Sequence, residues 1–194
     1  MKNNINDSII CAGFGGQGVM ILGKFLANAG IKENLNVTWL PSYGIEVRGG
    51  TAYSSIRINS DHIATPVVNF PNTAIIMNEP SLIKFEEKIE PRGFLILNSS
   101  MNKAAVKRKD INVLSIFLTD EALELGNIKV ANMIAAGIYA AIRKMFKKDT
   151  LLKVIEEMAG GHEELTLINI KAIERGMEIG EEYINRQTKP VIIF

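Results

Sequence analysis

Residues 8–19 read SIICAGFGGQGV, an apolar run that leads into four glycines within six positions. Residues 8–14 are typical of a short buried strand, and Gly13, Gly15 and Gly18 have the GxGxxG spacing of a tight turn from a strand into a helix. From Gln17 onward, apolar residues recur at helical spacing until Gly30, which offers a stop. This stretch therefore predicts a strand, a glycine-rich turn and a helix.

A second strand candidate, NVTWL at 36–40, follows that helix. Its distance from the first strand is that of a strand-helix-strand unit, which predicts a βαβ unit with a right-handed crossover. Residues 51–58 and 63–68 are also strand-like, and the turn-forming residues NSDH at 59–62 join them. We therefore expect a β-hairpin inserted after the βαβ unit.

The rest of the chain returns to alternation and then becomes helical. Strands are predicted at 73–77, 93–97 and 112–118, with helices at 80–88, 130–146, 151–158 and 165–184. The predicted fold is a single α/β domain spanning 1–194. It is a Rossmann-like three-layer domain, with a mostly parallel sheet, a β-hairpin insertion and a helical carboxyl-terminal part.

Composition excludes several classes of protein. The chain has 194 residues, a hydrophobic fraction of 47%, and a net charge of +1 with acids and bases interleaved, so a nucleic-acid partner is not expected. The basic run KAAVKRK at 103–109 is expected to be a solvated helix face. Apolar runs fall short of the roughly 20 residues of a membrane span, and residues 1–8 lack an apolar signal core. We expect a cytoplasmic protein with no membrane partner.

Cysteine and histidine content leaves no metal site to expect. Cys11 is alone in the sequence, so it forms no internal disulfide and holds no iron-sulfur cluster by itself; a small buried hydrophobe is the ordinary interpretation. His62 and His162 are far apart and lack metal-ligand spacing. We name no catalytic acid or base.

The glycine turn lacks one residue of a dinucleotide site. Such a site needs an acidic residue at the end of the second strand to hold the ribose hydroxyls, but that strand ends WLPS at 39–42. The turn keeps the capacity to bind a phosphate through exposed amides and the helix amino terminus. The residues concerned are Gly13, Gly15, Gly16, Gln17 and Gly18. The alternative is that the glycines only allow close packing of helix and strand.

A second candidate segment, PSYGIEVRGG at 41–50, follows the second strand at the sheet edge where α/β proteins bind ligands. Ser42 and Arg48 are its candidate ligand-binding residues. Arg48 suits a phosphate or carboxylate through its planar guanidinium, or it pairs with Glu46 in an ordered surface loop. The sequence leaves both interpretations open.

Four segments together resemble one protein family. GFGGQGV at 13–19, LGKFLANAG at 22–30, PSYGIEVRGG at 41–50 and PVVNFPNTAIIMN at 66–78 are similar to the gamma subunit of 2-oxoacid:ferredoxin oxidoreductases. The resemblance covers residues 8–100 in the right order. The family loop usually reads GPEMRGG, whereas Ile45 and Val47 replace its proline and methionine here.

The resemblance implies membership of a complex that oxidatively decarboxylates a 2-oxoacid, forms an acyl-CoA and passes electrons to ferredoxin. Thiamine diphosphate, Mg and iron-sulfur clusters are then expected on alpha, beta and delta (ferredoxin-like) partner subunits, with no cofactor bound tightly by this chain alone. Coenzyme A is expected near the glycine turn and Arg48. A 2-oxoglutarate enzyme is the first choice, ahead of pyruvate, branched-chain 2-oxoacid and indolepyruvate enzymes.

Two other classes of function compete with this interpretation. One is a stand-alone nucleotide-binding enzyme of the dehydrogenase type, and the other is a non-enzymatic nucleotide-sensing module. The missing ribose carboxylate favours the accessory subunit over both. A subunit separated from its complex is expected to self-associate through its docking surface, and the apolar tail at 191–194 is a candidate contributor.

Overall fold

Strand β1 (Asn6–Phe14) and helix α1 (Val19–Lys32) form as the opening sequence predicts. The structure is a computed structural model that describes residues 5–42 and 51–188. In these ranges the other strands are β2 (Asn36–Ser42), β3 (Thr51–Asn59), β4 (Thr73–Ile76), β5 (Phe94–Asn98) and β6 (Asn112–Ile116). The other helices are α2 (Glu79–Phe85), α3 (Leu118–Glu124), α4 (Ala131–Arg143), α5 (Lys148–Ala159) and α6 (Glu163–Thr188). Helix α3 has no counterpart among the sequence predictions.

The described strands form one sheet in the order β2-β3-β1-β4-β5-β6. Strands β1, β4, β5 and β6 are parallel neighbours, whereas β3 is antiparallel to both β1 and β2. Because β3 is antiparallel to both of its neighbours, β2 runs parallel to β1. The predicted βαβ unit is present, but its two strands do not touch.

The predicted hairpin between 51–58 and 63–68 is wrong in its pairing. Strand β3 pairs instead with β2, from Asn36 opposite Asn59 to Ser42 opposite Tyr53, and with the whole of β1. Residues 63–68 contain no strand. Pro66 in that segment has no backbone N–H to donate to a neighbouring strand. A central position for β3 is stabilised by the burial of Ile56 and Ile58, which are both 0% exposed.

The sheet is covered on both faces. In β1, Ile9 and Cys11 join the core beneath α1, while Ile10 and Ala12 join a second core beneath α2. Helices α4, α5 and α6 complete the first face, and irregular segments around Val68 and Val106 complete the second. This arrangement confirms the three-layer α/β fold with a mostly parallel sheet and a helical carboxyl-terminal part. In the described part of the chain, none of the helices is long and apolar enough to cross a membrane.

Helices α4 and α6 approach each other through glycine. A Cβ added to Gly176 would collide with the Ile134 carbonyl oxygen, and one added to Gly137 would collide with the Ile173 carbonyl oxygen. Both obstacles are backbone atoms of the facing helix, so a side-chain rotation cannot relieve them. The contact therefore requires glycine on both helices.

A buried polar cluster joins the amino-terminal ends of β1 and β4 to α4. The Asp7 carboxylate accepts hydrogen bonds from Tyr139 Oη at 2.7 Å and Thr73 Oγ1 at 3.1 Å, and Arg143 Nε lies 3.1 Å from it. Asp7 is only 3% exposed. Burial raises the pKa of the Asp7 carboxyl, outweighing the opposing effects of Arg143 and of the hydroxyl donors.

The Gly176→Ala variant should be less stable than the wild type by about 1–3 kcal/mol, because the new methyl forces two helix backbones apart. Urea denaturation measures this change. Gly15→Ala is the matched control, since a Cβ there meets nothing within 4 Å. Equal stability of Gly176→Ala and wild type would contradict the close contact.

Asp7 should make stability depend on pH. Its folded pKa is raised, so the folded state holds the proton more tightly than the unfolded chain does. This stabilisation is fully present below the ordinary pKa of Asp and is lost as pH rises through the folded pKa. The advantage of wild type over Asp7→Asn in urea denaturation should therefore fall as pH rises above about 4, the ordinary pKa of Asp. Asp61→Asn, at an exposed position, controls for the loss of one negative charge. An advantage that grows with pH would contradict this assignment.

Candidate functional site

The glycine turn lies at the sheet edge where β1, β4 and β5 all end, because these strands are parallel neighbours. Gly16 and Gly18 have positive φ angles of 99° and 70°, a backbone conformation that glycine adopts without strain. Gly15 and Gly16 are exposed at the tip of the turn. The turn thus presents bare backbone to solvent at the edge where open α/β sheets bind ligands.

Gln17 holds the turn in shape. Its Oε1 accepts hydrogen bonds from the Phe14 amide at 2.7 Å and from Asn78 Nδ2 at 3.1 Å, and its Nε2 donates to the Met77 carbonyl at 3.1 Å. The side chain therefore ties the end of β1 to the end of β4. These hydrogen bonds fix the orientation of the neighbouring backbone amides in the turn.

The four glycines have different reasons to be glycine. A Cβ on Gly13 would lie 2.9 Å from the Met77 Cβ, and one on Gly18 would run into the Asn132 side chain. Close packing and φ thus account for Gly13, Gly16 and Gly18. Gly15 has neither a positive φ nor any neighbour within 4 Å of an added Cβ. Nothing in the described fold requires glycine at position 15, so the room above it is available to a ligand.

The first turn of α1 is open to an anion. No side chain caps this turn and it contains no acidic residue. The positive end of the helix dipole, carried by the first backbone amides of the helix, is therefore not compensated. Gly16 and Gln17 line a cavity of about 200 Å³ whose other walls include Thr119 and Lys129. In the described ranges Lys129 has no carboxylate within ion-pair distance. Residues of the glycine turn and a lysine without an ion-pair partner in the described ranges therefore line the same small cavity.

Further polar residues gather behind this cavity. Asn98 donates from Nδ2 to the Met77 carbonyl and to Thr119 Oγ1 at 3.0 Å, and Asn132 donates from Nδ2 to the Gly18 carbonyl at 3.1 Å. The Oδ1 atoms of both asparagines are buried without a hydrogen-bond partner in the described structure. Sequence reasoning missed these asparagines and Lys129. They lie 80 or more positions from the turn, and no local pattern links them to it.

The structure separates Ser42 from the glycine turn. Ser42 pairs with Tyr53, which pairs in turn with Ala12, so β3 stands between Ser42 and the end of β1. Ser42 also lines a different cavity, together with Tyr53 and Ile10, on the α2 face of the sheet. Arg48 lies outside the described residues, so its predicted part in phosphate binding stays a prediction.

Sheet order provides a second argument against a dinucleotide site. In a dinucleotide fold the second strand lies next to the first and brings its terminal carboxylate to the ribose. Here β3 occupies that place, and β2 ends roughly 10 Å from β1, two strand spacings away. The missing acidic residue and the displaced strand agree.

Cysteine and histidine do not contribute to this site. Cys11 is fully buried, and burial raises the pKa of its thiol, so it is not a ready nucleophile. His62 and His162 are both exposed. Residues 5–42 and 51–188 contain no group of three or more His, Cys, Asp or Glu residues positioned to hold a metal ion.

Two solved structures share the fold. The gamma subunit of a keto/oxoacid ferredoxin oxidoreductase from Geobacter sulfurreducens superimposes with a TM-score of 0.79 at 22% identity, covering 91% of this chain and 99% of that chain. The 2-oxoglutarate:ferredoxin oxidoreductase from Magnetococcus marinus gives a TM-score of 0.84 at 21% identity, covering 91% of this chain and 31% of that one. At these identities the likeness establishes the fold.

Sequence relatives point to one group of enzymes. The ketoisovalerate oxidoreductase subunit VorA of Methanothermobacter thermautotrophicus is 30% identical over 177 residues, which are 89% of this chain and 36% of VorA. The chain therefore spans about one third of that relative. The 2-oxoglutarate synthase subunit KorC of Archaeoglobus fulgidus is 29% identical over 193 residues, 100% of this chain and 95% of KorC. The family model for pyruvate ferredoxin/flavodoxin oxidoreductase matches residues 8–179. With most of its length matched, the chain belongs to the pyruvate ferredoxin/flavodoxin oxidoreductase family.

Proposed function

We propose that this chain is the gamma-type subunit of a multi-subunit 2-oxoglutarate:ferredoxin oxidoreductase. Such a complex decarboxylates 2-oxoglutarate oxidatively, transfers the acyl group to coenzyme A and passes the electrons to ferredoxin. The observation that carries the proposal is the likeness to KorC, a 2-oxoglutarate synthase subunit, over 100% of this chain and 95% of KorC. Because KorC and this chain match along almost their whole lengths, the same place in the complex is favoured for this chain.

Ketoisovalerate is the second candidate substrate. VorA is 30% identical, and a subunit common to pyruvate and ketoisovalerate oxidoreductases in Thermococcus kodakarensis is 26% identical over 84% of its own length. Pyruvate and indolepyruvate complete the set to be tested. No described residue of this chain has a chemistry that distinguishes these acids, so the choice depends on overall likeness.

The proposed partners are alpha, beta and delta subunits, with ferredoxin as the electron acceptor of the complex. A groove of about 770 Å³ beside the first turn of α6 supports a protein partner, because Leu165 and Leu167 line it at 43% and 53% exposure. Exposed leucines of this kind also support self-association of the chain when it is alone. Thiamine diphosphate, Mg and iron-sulfur clusters belong to the partners in this proposal, and the complex is proposed to be cytoplasmic.

The glycine turn is proposed to bind a phosphate of coenzyme A. The Magnetococcus marinus enzyme is described with coenzyme A bound, and the turn in this chain combines uncapped helix amides, bare backbone at Gly15 and the free ammonium of Lys129. These groups suit an anion that carries several acceptor oxygens. Gln17 fixes the amides in place, so little ordering accompanies binding. Arg48 is proposed as a further cation from the 41–50 segment.

The chain alone should reduce no dye in the presence of a 2-oxoacid, because it carries none of the redox groups that the proposed reaction needs. Co-purified with alpha, beta and delta subunits, it should support reduction with the highest kcat/KM for 2-oxoglutarate. Assays with the four acids, with and without this chain, measure both points. A highest kcat/KM for ketoisovalerate would transfer the proposal to the second candidate, and activity of the pure chain would overturn the subunit role.

Gly15→Glu should raise the KM for coenzyme A of the complex about tenfold to a hundredfold, because it sets a carboxylate where the phosphate is proposed and costs a charged hydrogen bond. The KM for the 2-oxoacid should stay unchanged. Gly15→Ala is the matched control, with open space around its methyl, and Arg48→Ala should act in the same direction as Gly15→Glu. If the Gly15→Glu complex stayed intact with an unaltered KM for coenzyme A, the proposal that coenzyme A binds at the turn would be overturned.

A further inference from the structure

The groove of about 770 Å³ beside the first turn of α6 has walls from two parts of the chain. Leu165, Leu167 and Ile168 of α6 line one wall, and residues 125–127, which connect α3 to α4, line the other. Leu165 and Leu167 are exposed, whereas Ile168 is half-buried. The folded chain therefore leaves an apolar groove open to solvent.

Both walls are fixed within this chain. The Asn127 amide donates to the Ala122 carbonyl at 3.0 Å, which holds the connection against α3. The Arg175 guanidinium on α6 donates to both carboxylate oxygens of Glu121 on α3, at 2.7 and 3.2 Å. Because α3 and α6 are joined in this way, the groove is preformed, and little ordering accompanies the binding of a partner.

Four of the residues that line the groove form one stripe along α6. They stand at positions i, i+3, i+4 and i+7, which lie on one face of a helix, and they are Glu164, Leu167, Ile168 and Lys171. The stripe is about 10 Å long and carries an acidic residue, two apolar residues and a basic residue in that order. An apolar pair at the centre of an outward-facing stripe indicates a helix face that another molecule covers.

The two charges of this stripe have no partner within the chain. Neither Glu164 nor Lys171 has an oppositely charged side chain within ion-pair distance among residues 5–42 and 51–188. They stand two turns apart on α6, too far apart to pair with each other. A molecule that covers the stripe therefore fits best when it carries the same two charges in the reverse order.

We propose that a second copy of this chain covers the stripe, with the two α6 helices antiparallel around a two-fold axis. The stripe turned end for end has its charges in the required order. Positions 164 and 171 lie at equal distances from the midpoint between 167 and 168, so one axis brings Glu164 opposite Lys171 of the second copy and Leu167 opposite Ile168 of the second copy. Each ion pair then forms twice, and the contact closes after two copies. This inference rests on the self-association proposed above and names its surface.

Sedimentation equilibrium of the purified full chain, from low to high micromolar concentration, tests the proposal. Wild type should dimerise. Lys171→Glu should raise the Kd of the dimer about tenfold or more, because it replaces two attractive pairs by two repulsive ones. The double variant Glu164→Lys/Lys171→Glu should restore the dimer, since the same pairs form again with their signs exchanged. Lys153→Glu, which makes the same charge change at an exposed position on α5, is the matched control and should leave the Kd unchanged.

Three results would overturn this interface. A wild-type chain that stays monomeric at high micromolar concentration would exclude the second copy, and loss of partner-subunit binding in a monomeric Leu167→Asp chain would give the groove to a partner subunit. A dimer that neither Leu167→Asp nor Lys171→Glu weakens would lie elsewhere on the chain. Failure of the double variant to recover the affinity lost in Lys171→Glu would contradict the antiparallel register. Circular dichroism establishes that each variant is folded. Sedimentation measures no oxidoreductase activity, so failure of the proposed enzyme role leaves its outcome intact.

Discussion

The rest of the structure depends on strand β1 being buried on both faces and hydrogen-bonded along both edges. Its side chains enter two separate cores in alternation, and β3 and β4 pair with it on either side. A strand held in this way cannot shift by one residue without exchanging its two sets of buried side chains. The position of the glycine turn at its end is fixed by the same constraint. The candidate phosphate site is therefore set by the core, not by the loop.

The insertion of β3 between β1 and β2 separates the end of β2 from the glycine turn. A parallel β2 beside β1 would bring the end of β2 to the glycine turn, as in dinucleotide-binding domains. With β3 in between, the residues at the end of β2 form a cavity with Tyr53 and Ser55 on the α2 face. One antiparallel strand thus explains both why the dinucleotide arrangement is absent here and why Ser42 lies apart from the turn.

Packing and ligand capacity are combined within the glycine turn. Gly13 and Gly18 allow close contact with β4 and α4, and the backbone angle at Gly16 suits glycine. Gly15 is free of all these demands. The sequence leaves open whether the glycines serve close packing or phosphate binding. The two interpretations are compatible, because they concern different glycines of the turn. Three glycines are explained by the fold, while the fourth leaves backbone accessible beside uncapped helix amides.

The sequence by itself determined the fold class, the positions of β1 to β6 within a few residues and the family, because alternation, helical spacing and contiguous motifs are local properties of the chain. It did not determine the partners of β3, since Ile56 and Ile58 gain their burial from helices and strands distant in sequence. It also placed Ser42 with the glycine turn, although the two are on separate parts of the sheet. Only the tertiary structure brought Lys129, Thr119 and Asn98 to the turn, and residues 125–127 to the start of α6. These neighbours are set by sheet order and helix packing, and no sequence spacing encodes them.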